Sequence, residues 1–224
     1  MAEQLQCLGF DFDAPEKLER FFADHWERKR LVDLADGVYL RLDVTDAVSC
    51  WLSVDPETQA LLDWDMHCAS GVLLPCAFAE RLSCDERGQS GLLRLTLDPG
   101  GEETDVTVAC PALALWPERE GGAPGLVSLA LYAESVSPAE NDIESLTADP
   151  EDNTAAVTGR VLSAERCRNP WSGQDFWHVG LGCRGLTLDL YCAEEAFAGL
   201  PEAGILLSCR VFLTGLCEAG VITA

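Results

Sequence analysis

Short segments in which apolar and polar residues alternate follow one another along most of this chain, and they constrain its fold more than any other feature. The first two place an apolar residue at every second position: Val38, Leu40, Leu42 and Val44, then Val48, Cys50, Leu52 and Val54. Because residues two apart lie on the same face of a β-strand, this period predicts half-buried strands. Further strands are predicted over 59–68, 76–84, 91–97, 105–110 and 126–134. Short turns separate these segments, which favours an antiparallel meander sheet.

A single helix is predicted before the first strand. Asp13 supplies an N-cap carboxylate, Pro15 suits the first helical turn, and Glu16 occupies the capping-box position. An apolar stripe at helical spacing follows, formed by Leu18, Phe21, Phe22 and Trp26. We expect the helix to run to about Val32 and to cover one face of the sheet with this stripe.

The last third of the chain has an order of elements of its own. Strand, loop, hairpin, short helix and strand are predicted over 154–164, 165–176, 177–192, 193–200 and 205–217. This order resembles the small Greek-key barrel of the oligonucleotide/oligosaccharide-binding (OB) type. The resemblance is one of architecture, and it implies a closed β-barrel in this part of the chain. The predicted fold class is therefore mainly β, an α+β arrangement with few helices.

The distribution of charge divides the chain. The net charge is −23, and residues 153–224 hold only seven of the 38 acidic residues and five of the 15 basic ones, a net of −2. The residues before them hold the other 31 and 10, a net of −21. We predict an acidic antiparallel β domain with its covering helix over 1–140, a linker over 141–153 and an OB-like barrel domain over 154–224.

The 11 cysteines are odd in number and irregular in spacing. Most of them occupy apolar positions of predicted strands: Cys50, Cys68, Cys110, Cys183, Cys192 and Cys209. Because an unbridged cysteine behaves as a small buried hydrophobe, we expect reduced core residues and a cytoplasmic protein. The cysteines lack zinc-ligand spacing, and no cofactor is predicted. The N-terminus has no basic cluster followed by an apolar segment, and no apolar run approaches the roughly 20 residues of a spanning helix, so neither signal peptide nor membrane association is expected.

One cluster of titratable residues lies on a single predicted strand. Asp63, Asp65 and His67 occupy alternate positions and point to the same face, about 6.5–7 Å from one to the next. Two carboxylates and an imidazole can bind a metal ion or perform acid–base chemistry, which makes a metal-assisted hydrolase one alternative function. The other interpretation is the wet face of a half-buried strand, since such spacing needs ligands from elsewhere to close a metal shell.

A second cluster interleaves arginines with aromatic residues around the predicted loop of the barrel. Its candidate ligand-binding residues are Arg166, Arg168, Trp171, Phe176 and Trp177. OB-type barrels stack bases or sugar rings on such residues, so binding of single-stranded nucleic acid or carbohydrate is a second alternative. The competing interpretation is intramolecular, with the tryptophans capping the barrel and the arginines pairing with Glu165, Asp175 and Asp189.

The chain contains no recognisable catalytic motif. Glycine-rich phosphate loops, a Gly-x-Ser-x-Gly elbow and a His-Glu-x-x-His helix are all missing from the sequence. The net negative charge disfavours contact with the phosphate backbones of nucleic acids. The leading prediction is a non-enzymatic binding or interaction protein, with another protein as its partner, the arginine and aromatic loop as its recognition surface, and homo-oligomerisation left open.

Overall fold

The structure, a computed structural model, describes residues 2–12, 14–34, 37–45, 48–55, 57–58, 60–84, 90–98, 103–113 and 124–217. These residues form a mostly β protein with two α-helices and two sheets, as the alternating sequence pattern predicts. The helices are α1 (Ala2–Gln6) and α2 (Pro15–His25). Pro15 begins α2, in the first helical turn as predicted, but the N-cap residue is Ala14 and not the predicted Asp13, which lies outside the described residues.

The first sheet contains four antiparallel strands in sequence order. They are β1 (Lys29–Leu34), β2 (Gly37–Asp43), β3 (Val48–Val54) and β4 (Leu61–Cys68). The predicted hairpin corresponds to β2 and β3, which pair from Val38 with Val54 to Asp43 with Ser49. The helix prediction was too long, because α2 ends at His25 and Lys29–Leu34 form a strand paired with β2. The exposed side chains of Lys29 and Arg30 suit that edge strand.

The second sheet contains the remaining nine strands of the described residues. They are β5 (Leu73–Cys84), β6 (Gly91–Leu97), β7 (Thr104–Cys110), β8 (Pro124–Pro138), β9 (Ser145–Ala148), β10 (Thr154–Arg168), β11 (Asp175–Cys183), β12 (Leu186–Ala193) and β13 (Leu206–Cys217). Their order is β11-β12-β8-β5-β6-β7-β13-β10-β9, so the sheet is mixed rather than a simple meander.

Additional pairings connect five of these strands into a ring. Strand β10 is antiparallel to β11 and β13, β12 is antiparallel to β11 and parallel to β8, and β8 is antiparallel to β13. Four of the five strands belong to the predicted barrel, but β8 precedes residue 140. The ring therefore joins both sides of the predicted domain boundary, and β9 lies inside the predicted linker. The OB-like detail is not confirmed by these pairings, and the domain division stays a prediction.

Two apolar cores result from this arrangement. The first is enclosed by the nine-stranded sheet and includes Leu93, Leu131, Leu181 and Val211. The second lies between the outer face of the ring, the four-stranded sheet and the N-terminal helices. Alternation along β8 explains both, because Leu129 and Leu131 point to the first core while Ala130 and Tyr132 point to the second.

Candidate functional site

The arginine and aromatic residues predicted to bind a ligand lie on the β10–β11 hairpin, but they do not share one surface. The register pairs Arg166 with Trp177 and Cys167 with Phe176, so alternate side chains point to opposite faces. Trp177 is only 6% exposed, packs in the core enclosed by the large sheet, and donates its indole N–H to the carbonyl oxygen of Glu194 at 3.0 Å. Phe176 is buried in the second core. Neither ring offers a face to an external base or sugar.

The two arginines of the hairpin are exposed and paired with carboxylates. Arg166 Nη2 lies 2.9 Å from Asp175 Oδ2 and also contacts the Glu194 carboxylate. Arg168, whose side chain is 70% exposed, approaches Asp175 Oδ1 at 3.5 Å. Asp175 is therefore the intramolecular partner that the sequence suggested for these arginines, whereas Glu165 and Asp189 contact His178 instead.

The hairpin tip is fixed by one buried amide, that of Asn169. Its Oδ1 accepts the backbone N–H groups of Trp171 at 2.9 Å and Ser172 at 3.1 Å, which folds the tip locally. Its Nδ2 donates to the carbonyl oxygen of Leu8 at 2.8 Å, and the Ser172 hydroxyl donates to that of Gly9 at 2.5 Å. Gly9 has φ +68°, and a Cβ there would lie 3.0 Å from the Gln174 carbonyl oxygen. The N-terminal segment is thus locked onto the tip.

Trp171 joins the tip to the N-terminal helix region. Its ring centroid lies 5.4 Å from that of Phe21 and 5.5 Å from that of Phe12, in edge-to-face and tilted arrangements. Its indole Nε1 lies 3.3 Å from Asp24 Oδ2 on α2. Trp171 remains half-buried, with one edge bordering solvent.

A charged cleft of about 380 Å³ lies between α2 and the hairpin tip, and we call it the tip cleft. It is lined by Asp11, Lys17, Arg20, Asp24, Pro170, Trp171, Ser172 and Gln174. Opposite charges face each other in pairs there, with Lys17 Nζ 2.8 Å from Asp11 and Arg20 Nε 3.6 Å from Asp24. Of the predicted binding residues, only Trp171 lines this cleft.

The three residues of the predicted metal site are on β4 as expected, but their surroundings differ. Asp63 is exposed and Asp65 is half-buried. His67 is 0% exposed, and its ring nitrogens face two hydroxyls of the nine-stranded sheet, Thr214 at 3.1 Å and Ser128 at 3.4 Å. Within the described parts of the chain, no group of three His, Cys, Asp or Glu side chains is placed to hold a metal ion. The metal site therefore stays a prediction, and the contacts of these three residues add no support to it.

Burial changes the protonation of both inner residues of this strand. Desolvation, reinforced by Arg41, lowers the pKa of His67 to about 3, so the imidazole is neutral at physiological pH. Desolvation, with the nearby charge of Asp63, raises the pKa of Asp65 to about 6 despite a hydrogen bond from the Met66 N–H. A neutral, enclosed imidazole can bridge the two sheets through hydrogen bonds, but it has no open path to a substrate.

Replacing Asp65 with asparagine is expected to stabilise the protein. The folded pKa of Asp65 lies above its ordinary value of 3.8, so between these values only the unfolded chain ionises, and stability falls as pH rises through this window to about 6. Because water still screens the half-buried carboxylate, we expect Asp65→Asn to raise the free energy of unfolding at neutral pH by about 1 kcal/mol. Urea denaturation measures this change.

Asp63→Asn is the matched control for this prediction, since Asp63 is exposed two residues away on the same strand. We expect the control to change the free energy of unfolding by less than about 0.5 kcal/mol. Equal effects of the two substitutions, or a loss of stability in Asp65→Asn, would contradict the assignment of a raised Asp65 pKa.

A third cluster, around His178, was not predicted from the sequence. His178 Nε2 lies 2.8 Å from Asp189 Oδ1, and Nδ1 lies 3.1 Å from Glu165 Oε1. Asp189 also accepts the Ser70 hydroxyl and the Gly71 backbone N–H. The register of the β11–β12 hairpin could have indicated the contact between His178 and Asp189, because pairing Gly180 with Asp189 places these two residues diagonally on one face. Ser70 and Gly71 are distant in sequence and gave no signal.

Burial keeps several of the cysteine thiols in their protonated form. Eight of the ten cysteines whose side chains the structure describes are buried. Burial raises the pKa of Cys68 and Cys209 to about 12, and that of Cys167 and Cys183 to about 11. A thiol with a raised pKa stays protonated near neutral pH, so these side chains pack as small apolar groups rather than attack substrates.

Comparisons with protein-family models, with curated proteins and with solved structures found no match to this chain. Among the helices that the structure describes, none has the length and apolar character needed to cross a membrane. A function for this chain is therefore inferred from the chemistry of its own sites.

Proposed function

We propose that this chain is a non-enzymatic binding protein that recognises another protein through the tip cleft and the adjoining guanidinium of Arg168. The observation that supports this most directly is the cleft itself, where two ion pairs, one half-buried and one exposed, line the same cleft as Trp171. Arg168 adjoins it, because its Nη2 lies 3.4 Å from the position that a Cβ at Gly173 would occupy. The proposed surface thus combines an aromatic edge with charges of both signs.

The chemistry of the tip cleft suits a polar segment of a partner protein. Ion pairs that solvent reaches, such as Lys17–Asp11 and Arg20–Asp24, are worth little to stability, so a partner can replace one member at small cost. The Trp171 ring is already held by Phe12 and Phe21, so binding against it requires little further ordering. Tryptophan and arginine are also the residues most often found at energetic centres of protein interfaces.

The two alternative functions have less structural support. Stacking of bases or sugars needs exposed ring faces, and Phe176 and Trp177 are buried. A metal-assisted hydrolase built on β4 needs an accessible imidazole, and that of His67 is enclosed between the two sheets. The thiols of Cys68, Cys167, Cys183 and Cys209 stay protonated, which makes them poor nucleophiles.

Charge reversal in the tip cleft tests the proposal. The double variant Arg20→Glu/Arg168→Glu changes two exposed side chains, and it should reduce capture of the partner by about tenfold or more in quantitative affinity capture. Arg210→Glu is the matched control, because Arg210 is also exposed and paired, with Glu134 at 2.7 Å, and lines a different cavity. A partner retained by the wild type and the control but lost by the double variant supports the proposal. Equal capture of every protein by all three chains would refute it.

A further inference from the structure

We propose that His178, Glu165, Asp189 and Ser70 form a proton-dependent clasp, here called the His178 clasp, which fastens the four-stranded sheet to the ring when His178 is protonated and loosens when it is not. The clasp lies where three strands of the ring meet the turn that follows β4. It makes the attachment of the two sheets sensitive to pH. This inference does not depend on the proposed binding function.

Each member of the His178 clasp comes from a different element. Glu165 is on β10, His178 on β11, Asp189 on β12, and Ser70 lies in the turn between β4 and β5. The imidazole is held between two carboxylate oxygens, at 2.8 Å from Asp189 and 3.1 Å from Glu165. Both ring nitrogens can donate only when the imidazole carries its second proton. The geometry therefore fits an imidazolium better than a neutral ring.

Asp189 transmits the charge of His178 to the four-stranded sheet. Its carboxylate is buried and accepts three donors: His178 Nε2, the Ser70 hydroxyl and the Gly71 backbone N–H. Ser70 in turn donates its backbone N–H to the Ser128 hydroxyl at 2.8 Å, which holds the turn against β8. A buried carboxylate is costly unless a cation and hydrogen bonds compensate it. Loss of the imidazolium charge therefore weakens the whole connection.

The charged groups that face His178 both favour its protonated form. Glu165 faces it from β10, and Asp189 faces it from β12, so both neighbouring charges are negative. Tyr191 of β12 stacks on the imidazole with ring centroids 5.0 Å apart. Cys68 of β4 and Tyr132 of β8 lie behind Tyr191. Burial raises the pKa of all three side chains, so the two hydroxyls and the thiol stay neutral. Arg166 of β10 is engaged with Asp175 and Glu194 on the opposite face.

These contacts determine the sign of the pH effect. Hydrogen bonding to Asp189 raises the pKa of His178 above its ordinary value of 6.5, against a smaller opposing effect of burial. The stabilisation that protonated His178 gives is therefore complete at a pH below its pKa in the unfolded chain, and it is lost as pH rises through its pKa in the folded chain. Above it, the neutral ring donates one N–H, which Asp189 retains, and its other nitrogen presents a lone pair to Glu165. Glu165, which is 68% exposed, is then free to turn into solvent.

Proton NMR titration of the histidine ring provides the first test. We expect His178 in the wild-type protein to titrate above pH 6.5, and Glu165→Gln to lower its midpoint by about half a pH unit, because an exposed neighbouring charge is removed. Asp189→Asn should lower the midpoint further. If Asp189→Asn does not fold, the result for Glu165→Gln alone decides the test. A midpoint at or below 6.5 in the wild type, or no shift in Glu165→Gln, would overturn the proposal.

Hydrogen exchange then tests whether the clasp controls the sheet attachment. The reporters are the amides of Ser70 and Val72, which bond to the Ser128 and Ser70 hydroxyls at 2.8 and 2.9 Å. Corrected for intrinsic exchange, their protection should fall about threefold or more between one pH unit below and one above the His178 midpoint. The amide of Leu93, in the first core, serves as the internal reference. Unchanged reporter protection, or the same loss in His178→Gln, would overturn the proposal.

Discussion

Acidification from about pH 6.5 to about pH 4 should cost the wild-type protein about 3 kcal/mol more free energy of unfolding than it costs the variant His67→Gln. The physical cause is the enclosed imidazole of His67, whose pKa is lowered from 6.5 to about 3 by burial. At a pH below 6.5, His67 binds a proton in the unfolded chain but stays neutral in the folded chain. Stability therefore falls as pH falls toward 3, and glutamine, which does not titrate, removes this dependence.

Urea denaturation of both proteins at several pH values measures the effect as a difference, so that the titration of other carboxylates largely cancels. Thr214→Val is the matched control, because it removes a hydroxyl 3.1 Å from His67 Nδ1 and keeps the imidazole buried. We expect Thr214→Val to be less stable than the wild type at every pH and to retain the acid sensitivity. Parallel curves for the wild type and His67→Gln would show that His67 is not held neutral between the sheets.

Asn169→Ala should lower the free energy of unfolding by about 3 kcal/mol, because it leaves two half-buried backbone N–H groups and one buried carbonyl oxygen without their partner. The affected groups belong to Trp171, Ser172 and Leu8, so both the hairpin tip and the N-terminal segment lose an anchor. Urea denaturation at neutral pH measures the loss.

The matched control for Asn169 is Asn141→Ala. Asn141 makes the same kind of contact, with its Oδ1 accepting the Ile143 N–H at 3.1 Å, but it does so in an exposed turn where water can replace the amide. We expect a loss below about 1 kcal/mol there. A loss of that size in Asn169→Ala as well would mean that the hairpin tip does not depend on its buried amide.

The candidate sites show where sequence reasoning was sufficient and where it was not. Alternation correctly placed Asp63, Asp65 and His67 on one strand, but it could not indicate that the end of that strand enters the space between two sheets. The sequence predicted a loop over 165–176, whereas β10 runs on to Arg168 and β11 begins at Asp175. Pairing of the arginines with Asp175 was one of the interpretations that the pattern left open, and the same pattern grouped Trp177 with Trp171. Trp177 is 6% exposed and lies in a core, whereas Trp171 is half-buried and lies beside a cleft.

Residue order by itself determined the mostly β character of this protein, because period-two alternation depends only on neighbouring residues and on which face they present to apolar surroundings. It also determined the start of α2 at Pro15, since the fixed φ of proline suits the first helical turn. These are local properties, and local sequence is enough to specify them.

Only the tertiary structure decided the pairing of β8 with β12 and β13, the enclosure of His67 and the assembly of the His178 clasp. Each brings together residues far apart in the chain, as with Ser70 and Asp189 or His67 and Thr214. Such contacts depend on how whole faces of sheets pack to bury apolar area, which no short pattern encodes. The same packing desolvates some of these groups, and so it also sets the protonation states from which the pH predictions follow.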